Sequence, residues 1–454
     1  MEISRGVFYQ PFDDKIYVHN VDTQKDYILG GDALEVLNFF AENPNVSMEY
    51  AAEQIAKQFE SDDFSEITTA LCEFMEELQA EGILKDSTAT VNKTDKIIKD
   101  IEFYYADNHK LFSISFELTY RCVEKCIHCY IDDADNFCAK NELTLDEYKN
   151  ILKQAKEMGV VKILLTGGEV LLRPDLCDIA EYALSLGIIV DIYTTGLGLT
   201  DKIFERLCAS KVNSVSFSLY SGNSEMHDKI TGVQGSFEKT LKAMLMFRSA
   251  GINTFIKSVV INQNFSDIKS LYELGKRLKI DVNVSPKIFS GHETKSASDY
   301  RLENLKSYKE FFALDTDFRI GKFNRLGGTK FIAISEGTLC TAGKNAVSID
   351  PFGGVRPCVG FKKPFGSVRE DSLKNIWDGI GKLESFKISK LSQLTPKCKT
   401  CRYIKFCHAC IAELFDDEKQ SFNECSDELV MAQAAAEFYY QWEADFNERQ
   451  SAKN

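Results

Sequence analysis

Apolar and polar positions follow two different patterns along this chain of 454 residues, one in its first 85 residues and another from about residue 112. In residues 7–29, "VFYQPFDDKIYVHNVDTQKDYIL", short apolar segments between polar turns predict two or three strands. Three amphipathic helical patterns follow, beginning at Asp32, Met48 and Phe64, and the last one ends at Gly82. Strands followed by three helices predict a small winged-helix-like domain.

From about residue 112 the pattern changes to strands that alternate with amphipathic helices. The predicted strands are "FSISFEL", "VVKILLTGG", "GIIVDIYTTG", "VNSVSFSLY", "INTFIKSVVIN" and "KIDVNVSPKIF". This alternation predicts a parallel sheet with right-handed crossovers, and six such units predict a partial (β/α)6 TIM-like barrel. The fold class is therefore α/β.

The same patterns divide the chain into domains. We predict a first domain over residues 1–95, a linker over 96–111, the barrel over 112–325 and a cysteine-rich domain over 326–454. Residues 291–330 are polar and mixed and predict no particular element. An aromatic-rich pattern over 427–448 predicts a final helix that packs on the body of the protein.

Charge distinguishes the first domain from the rest. Residues 1–90 hold 19 acidic and 5 basic side chains, whereas the remainder carries 49 of each sign. The whole net charge of −14 therefore lies in the first fifth of the chain. Such a module repels phosphates, which argues against nucleic acid, and it predicts a basic partner.

Several absences and the cysteine content predict a cytoplasmic protein. No stretch approaches 18 apolar residues, which argues against a membrane span, and the first residues show no basic start with an apolar run. Of 14 cysteines, ten fall within residues 122–129 and 340–425. Reduced cysteines in such clusters bind metal more often than they form disulfides. The scattered Cys72, Cys138, Cys177 and Cys208 are predicted to be plain thiols.

The first cysteine group, "RCVEKCIHCY", contains Cys122, Cys126 and Cys129 directly after the first barrel strand. Thiolates suit zinc or iron–sulfur clusters, and three cysteines leave one iron of a four-iron cluster open. The loop after a barrel strand lies at the rim where such barrels carry active sites. Half of a zinc site is the alternative for this loop alone.

This C-x-x-x-C-x-x-C spacing resembles the signature of the radical S-adenosylmethionine (SAM) enzymes. "LLTGGEVLLRPD" is similar to the GGE motif of that family, which implies that Gly167, Gly168 and Glu169 lie near the SAM amino group. Val170 stands where the family usually has proline.

Three further positions resemble SAM contacts of the family. They are Thr195 in "IYTTG", the segment under the cofactor, Ser218 in "SFSLYS" at the ribose, and His128 near the adenine. The resemblance implies that the open iron binds the amino and carboxylate groups of SAM. It further implies that a reduced cluster cleaves SAM to a 5′-deoxyadenosyl radical, which abstracts an unactivated hydrogen.

The second cysteine group contains seven thiols within "CTAGKNAVSIDPFGGVRPC", "CKTCRYIKFCHAC" and Cys425. Two C-x-x-C pairs alone would predict a zinc ribbon. The spacing resembles the SPASM extension of radical SAM enzymes, which carries two auxiliary 4Fe–4S clusters. The resemblance assigns the cysteines to two sets, Cys398, Cys401, Cys407 and Cys425 in one and Cys340, Cys358 and Cys410 in the other.

Two features of the second group depart from a full pattern. Two residues separate Cys407 from Cys410, where the family more often has three. Seven thiols cannot fill eight positions, so one auxiliary cluster has an open iron unless Asp, His or another ligand fills it. Such an iron could hold a substrate thiolate.

The order of elements in the first domain resembles the RiPP recognition element, which binds the leader of a ribosomally made peptide by strand addition. The receiving edge would lie at residues 17–29, with the helix over residues 64–78 as the other wall. A plain docking or dimerisation domain is the alternative.

Together these features predict a radical SAM/SPASM peptide maturase of the sactipeptide or ranthipeptide type, with SAM and three 4Fe–4S clusters. It would form a thioether between a cysteine and a carbon of a basic, cysteine-containing precursor peptide, with electrons from flavodoxin or ferredoxin. The alternatives are a carbon–carbon cross-link or other peptide oxidation, formylglycine formation, and a zinc-binding adaptor without catalysis.

Overall fold

The computed structural model describes residues 2–4, 7–12, 15–31, 33–43, 46–57, 64–85, 98–131, 141–290, 299–323, 340–425 and 427–451. Several sequence predictions fall at least partly outside these residues, namely those for Cys138, for residues 291–330, and for the domain boundaries at 95/96 and 325/326.

The N-terminal module contains two small antiparallel sheets. Its strands are β1 Glu2–Ile3, β2 Val7–Phe12, β3 Lys15–Asn20, β4 Lys25–Gly30 and β5 Leu84–Lys85. Strands β2, β3 and β4 form one sheet in that order, and β1 pairs with β5. Side chains alternate across β3, so Ile16 and Val18 face the helices of the module while Tyr17 faces the barrel.

The sheet order corrects one detail of the sequence prediction. The predicted receiving edge, residues 17–29, includes part of β3, which is the central strand and is paired on both sides. An added strand can therefore pair only with β2 or β4.

The three predicted helices of this module are present. They are α1 Ala33–Glu42, α2 Met48–Ala56 and α3 Phe64–Ala80. Their apolar faces pack on the sheet through Val36, Leu37, Phe40, Ile55 and Met75, all of which are fully or almost fully buried.

An additional helix, α4 Ile98–Asp107, occupies part of the predicted linker. Tyr105 on this helix is buried and packs edge-on against Phe112, with ring centroids 5.1 Å apart. Tyr17, Val161 and Ile189 complete this cluster. Because Phe112, Val161 and Ile189 lie at or immediately before the starts of barrel strands, the module is attached to the N-terminal end of the barrel.

All six predicted barrel strands are present and parallel. They are β6 Ser113–Glu117, β7 Lys162–Thr166, β8 Ile189–Thr194, β9 Ser214–Ser218, β10 Asn253–Val259 and β11 Asp281–Ser285. The helices between them are α5 Leu145–Glu157, α6 Leu176–Ser185, α7 Asp201–Ser210, α8 Ser224–Thr231, α9 Ser236–Ser249 and α10 Ile268–Leu278. The strands follow each other in sequence order, so the predicted α/β fold with a partial barrel is confirmed.

The cysteine-rich region extends this sheet at its first strand. After α11 Leu305–Phe323, three short strands follow, β12 Ala346–Ile349, β13 Gly354–Arg356 and β14 Gly366–Ser367. Strand β12 pairs parallel with β6, and β13 and β14 continue the sheet in antiparallel fashion. Strand β12 lies between β6 and β13, and through Ser348 it sets Arg356 of β13 level with Ser115 of β6.

The remaining helices complete the C-terminal part. They are α12 Leu373–Lys382, α13 Glu384–Lys387, α14 Ile411–Leu414 and α15 Asp427–Ser451, with a small hairpin of β15 Phe415–Asp416 and β16 Ser421–Phe422. Helix α15 packs on α11, where Phe312 stacks on Phe438 and Lys309 lies 3.2 Å from Glu437. Among the described helices, none is both long and apolar enough to cross a bilayer.

Candidate functional site

A cavity of about 290 Å³ lies at the C-terminal ends of the barrel strands. The last residues of four strands line it, namely Thr166, Thr194, Ser218 and Val259. Eight of the nine residues predicted around SAM and its cluster also line it, and these are Cys122, Cys126, His128, Cys129, Gly167, Gly168, Thr195 and Ser218. The structure thus brings residues from four separate sequence segments to one cavity.

The loop that carries the three cysteines is fixed by its backbone. The amides of Gly168 and Glu169 donate to the carbonyls of Thr119 and Arg121 at 2.7 and 2.9 Å. Further along, the amide of Lys125 donates to the carbonyl of Thr231 at 2.8 Å. These bonds tie the loop to the β7 turn on one side and to helix α8 on the other.

The two glycines of the GGE motif are explained by this contact. Gly167 has φ +132°, a conformation that favours glycine, and a Cβ there would collide with the carbonyl oxygen of Thr119. A Cβ at Gly168 would collide with the carbonyl oxygen of Arg121. The close approach that requires glycine is therefore made by the cysteine loop.

Buried ion pairs anchor the start of the loop. Glu142 accepts hydrogen bonds from the Thr119 hydroxyl at 2.5 Å and from the Arg121 and Arg173 guanidinium groups at 3.2 and 3.1 Å. Arg173 also pairs with Asp175 at 2.8 Å. Sequence reasoning did not identify this network, because its members lie far apart in the chain.

Glu169 is the one predicted SAM contact that does not line the cavity. Its side chain is 0% exposed. The carboxylate accepts hydrogen bonds from the Leu171 amide at 2.9 Å, the Thr194 hydroxyl at 2.6 Å, and both the amide (2.7 Å) and the hydroxyl of Thr195. Burial raises its pKa, which these hydrogen bonds oppose. A contact with the SAM amino group stays a prediction.

The three thiols suit a metal cluster. Burial raises the pKa of Cys122 to about 12 and that of Cys126 well above its usual value, with the neighbouring cysteines contributing to both shifts. Such thiols need a bound cation to become thiolates. Three convergent cysteines in a buried cavity therefore fit a four-iron cluster with one iron left for another ligand.

Several residues that line the cavity were not predicted. They are Glu124, Tyr130, Tyr220 and Lys287, together with hydrophobic neighbours. Tyr220 meets His128 edge-on at 4.6 Å, and its amide donates to Nδ1 of His227 at 3.1 Å. Burial lowers the pKa of His227 to about 4, so that His227 is a neutral acceptor. The position of Tyr220 two residues after Ser218, at a strand end, was the available signal.

Glu124 gives the cavity an acidic wall. It lies between Cys122 and Cys126 and is buried, and the Cys126 thiol donates to its Oε2 at 3.4 Å. Burial raises its pKa to about 7.

The second cysteine group separates into two neighbourhoods, and the assignment of each neighbourhood to a cluster stays a prediction. The pKa of Cys358 is raised by burial and by the nearby Cys340 and Cys410. Burial raises the pKa of Cys407 to about 11, with contributions from its neighbours Cys398, Cys401 and Cys425.

Both neighbourhoods consist of cysteines, the ligands that iron–sulfur clusters use. Among the described side chains, no three His, Cys, Asp or Glu residues are close enough to hold one metal ion. A structural zinc ion gathers four ligands tetrahedrally, whereas the thiolates of a four-iron cluster can bind different irons.

One wall separates the two kinds of site. Lys287 and Ile288, which follow strand β11, line the cavity at the strand ends. The same two residues line a smaller cavity that Cys410 and His408 also line.

Comparison with known proteins identifies the domains. Residues 116–275 match the model of the radical SAM superfamily, and residues 340–402 match that of SPASM, an iron–sulfur cluster-binding domain. Over 330 residues the chain is 29% identical to an AdoMet-dependent heme synthase of Methanosarcina barkeri, covering 66% of this chain and 91% of the relative. Over 323 residues it is 27% identical to the antilisterial bacteriocin subtilosin biosynthesis protein AlbA of Bacillus subtilis. This match covers 67% of this chain and 68% of AlbA.

The solved structures agree at the level of the fold. The crystal structure of Streptococcus suis SuiB bound to precursor peptide SuiA matches with a TM-score of 0.62 at 18% identity, covering 93% of this chain and 98% of SuiB. The match to enzymes of this superfamily also makes the zinc-binding adaptor without catalysis wrong. The radical SAM domain implies SAM with a four-iron cluster, and the SPASM domain points to auxiliary clusters. The chain is therefore a radical SAM enzyme with a radical SAM domain followed by a SPASM domain.

Proposed function

We propose that this enzyme is a maturase of a ribosomally made precursor peptide. In this proposal it joins a cysteine of the peptide to a carbon, at Cα or in a side chain, through a thioether. AlbA and SuiB support the peptide substrate, since one is named for bacteriocin biosynthesis and the other was solved with a precursor peptide.

The shared wall between the two cavities is the observation that carries the thioether. Lys287 and Ile288 line both the cavity at the strand ends, where the substrate carbon would lie, and the cavity that Cys410 lines. Cys340, Cys358 and Cys410 cannot supply four cysteine ligands, so we propose that the substrate sulfur completes this set. The other set, Cys398, Cys401, Cys407 and Cys425, is then complete.

The cofactors would supply the hydrogen abstraction. With SAM and a reduced cluster bound, the site provides a 5′-deoxyadenosyl radical. Cys122, Cys126 and Cys129 would hold that cluster, and Thr195, Ser218 and His128 would contact SAM. A substrate that fills the cavity would exclude water from its reacting carbon.

Lys287 would orient the substrate sulfur. It is half-buried, faces both cavities and forms no ion pair with any described residue. Burial raises the pKa of Cys410 and the charge of Lys287 opposes that shift, and the same charge would attract a substrate thiolate.

The first module is proposed to bind the leader, over residues 1–95. The outer edge of β4 is the better candidate, because Gln10 on β2 contacts Lys156 of the barrel at 2.9 Å. Strand β4 also lies beside the end of α3, where Lys25 and Tyr27 contact Glu81 at 2.7 and 3.0 Å. A groove between β4 and α3 would accept a strand on one side and side chains on the other.

The other predicted features complete the proposal. We propose domain boundaries at 1–95, 96–111, 112–325 and 326–454, three 4Fe–4S clusters, and flavodoxin or ferredoxin as the electron donor. The 14 cysteines favour a reducing, cytoplasmic setting.

Co-expression with a short cysteine-containing peptide encoded beside the gene tests the function. Each thioether removes one hydrogen from carbon and one from sulfur, so the peptide should lose two hydrogens per link, and the linked cysteine should resist alkylation. A loss of two hydrogens with all cysteines still alkylated would favour the carbon–carbon link instead. An unchanged mass would contradict the peptide substrate.

The Cys340→Ala variant tests the proposed auxiliary site. We expect the thioether rate to fall by at least tenfold. A normal rate would remove that site from the reaction.

A second candidate function comes from the heme synthase, which is 29% identical to this chain. Its name indicates a tetrapyrrole substrate, and this enzyme would then act on a tetrapyrrole. The two candidates separate when the same purified enzyme is given SAM, a reductant and either a peptide or a tetrapyrrole. The peptide proposal predicts that only the peptide changes mass.

A further inference from the structure

A buried carboxylate connects the two cluster-binding segments of the chain. Glu117, the last residue of β6, is 0% exposed. Its Oε1 accepts a hydrogen bond of 2.6 Å from the Tyr130 hydroxyl, and its Oε2 accepts one of 3.3 Å from the Tyr120 hydroxyl. Tyr130 directly follows Cys129 and lines the cavity at the strand ends.

The same carboxylate faces the SPASM domain. Nη1 of Arg356 lies 3.8 Å from Oε2 of Glu117 and 2.9 Å from Oδ2 of Asp350, and it donates to the Tyr120 hydroxyl at 3.3 Å. Arg356 ends β13, and Cys358 follows two residues later. One guanidinium therefore serves two buried carboxylates beside a cysteine of the second group.

The pairing of β6 with β12 creates this arrangement. Because the network is buried, its charges act through a medium of low effective dielectric, where they interact more strongly than in water. Buried groups that hold metal-ligating segments also fix the orientation of those ligands and tune the metal.

We propose that Glu117 is a positioning residue for both cluster sites, because it orients Tyr130 behind Cys129 and, through Arg356, fixes the segment that carries Cys358. This proposal rests on the assignment of Cys340, Cys358 and Cys410 to an auxiliary cluster. It implies that the reduction potentials of the two clusters depend on one side chain. Burial raises the pKa of Glu117 to about 7, so the carboxylate carries its full charge only above that pH. A negative charge disfavours the more negative, reduced form of a nearby cluster, so removing it raises both potentials when they are measured above pH 8.

The test is a redox titration of the reconstituted holoenzyme, followed by electron paramagnetic resonance. Glu117→Gln keeps the volume and an acceptor for Tyr130 but removes the charge. We expect the reduced-to-oxidised ratio at a fixed potential to rise about tenfold for each cluster, or about 59 mV for a one-electron couple. The cluster at Cys122, Cys126 and Cys129 is recognised by its spectral change on adding SAM. The auxiliary clusters are measured in the triple variant of those cysteines to alanine.

Asp315→Asn is the matched control. Asp315 is also buried and accepts a hydrogen bond of 2.6 Å from a tyrosine, Tyr272, yet neither residue lines either cavity. This variant should leave both potentials unchanged. Tyr130→Phe should alter the spectrum of the SAM-site cluster alone.

Each other outcome overturns part or all of the proposal. Unchanged potentials in Glu117→Gln with full iron content would make Glu117 a scaffold residue only. A shift confined to the SAM-site cluster would remove the connection to the auxiliary site. If Glu117→Gln fails to bind iron, Tyr130→Phe and Arg356→Lys are titrated instead, and wild-type spectra and potentials in both overturn the proposal. Because no peptide is needed, failure here is distinct from failure of the proposed function.

Discussion

At the scale of single residues, a few buried acidic groups hold the candidate site in place. The Glu169 carboxylate accepts hydrogen bonds from two backbone amides and two hydroxyls. The Glu142 carboxylate joins Thr119, Arg121 and Arg173. Both groups link the cysteine loop or the turn beside it to neighbouring strands, so the cavity is organised by the chain itself.

Replacing Glu169 with alanine should destabilise the barrel. The change leaves four buried donors without their acceptor, and each such group costs about 1–3 kcal/mol. We expect the free energy of unfolding to fall by about 3 kcal/mol or more in anaerobic denaturant titrations. Glu205→Ala, an exposed change on α7, should stay within about 0.5 kcal/mol of the parent chain. Equal effects of the two changes would contradict the role given to Glu169.

At the scale of elements, the pattern of apolar residues predicted the long, buried strands and helices but missed short elements. The six barrel strands were predicted because buried parallel strands give apolar runs between amphipathic helices. Strands β12, β13 and β14 have four, three and two residues, too few to show a periodic pattern. Helix α4 was assigned to a linker, because only tertiary contacts such as Tyr105 with Phe112 explain its order.

The candidate site also contains residues that the sequence predicted and residues that it did not. Its cysteines, glycines and Ser218 were predicted because they resemble family motifs at strand ends, and they line the cavity. Glu124 and Tyr130 adjoin the motif cysteines and Tyr220 lies two residues after Ser218, but their residue types gave no sign of a role, and only the fold brings Lys287 to the cavity.

The contact between the GGE turn and the cysteine loop predicts the effect of Gly168→Ala. A Cβ at this position collides with the Arg121 carbonyl, so the loop must move. We expect iron to fall from about twelve to about eight atoms per chain, with the SPASM clusters retained. Gly379→Ala, at an open position on α12, is the control and should keep all the iron. Full iron in Gly168→Ala would show that the loop tolerates the added methyl group.

The acidity of the first module predicts salt-dependent leader binding. Glu66, Glu73, Glu76 and Glu77 are exposed on α3, beside the proposed groove. Since exposed charges are screened by salt, a basic leader should bind at least several-fold more weakly at 0.5 M than at 0.05 M salt. Fluorescence anisotropy with a labelled leader measures this, and a proline placed in the leader segment that pairs with β4 should weaken binding at both concentrations. Affinity that is independent of salt would show that charge attraction between the module and the leader does not contribute to binding.

At the scale of the whole molecule, the first module and the cavity lie at opposite ends of the barrel. His19 and Gln24 of the module contact Asn213, at 3.0 and 2.8 Å, immediately before β9 begins. Ser218, the last residue of β9, lines the cavity. Five residues of strand span about 17 Å, so a peptide held by the module must extend along the barrel to reach the cavity.

This geometry predicts a minimum spacer between leader and modified residues. A spacer of fewer than about five extended residues cannot cover the distance. Peptides with progressively shorter spacers should keep their affinity for the enzyme but lose modification abruptly. Equal modification with no spacer would show that the leader does not bind at the module while the reaction proceeds.

The most direct test of the central claim is a reaction of the purified, reconstituted enzyme with SAM, a reductant and the full precursor peptide. Product mass and 5′-deoxyadenosine are measured together. A thioether synthase should form about one 5′-deoxyadenosine for each two hydrogens lost from the peptide, with one cysteine per link protected from alkylation. Formation of 5′-deoxyadenosine with no change in peptide mass would contradict this function.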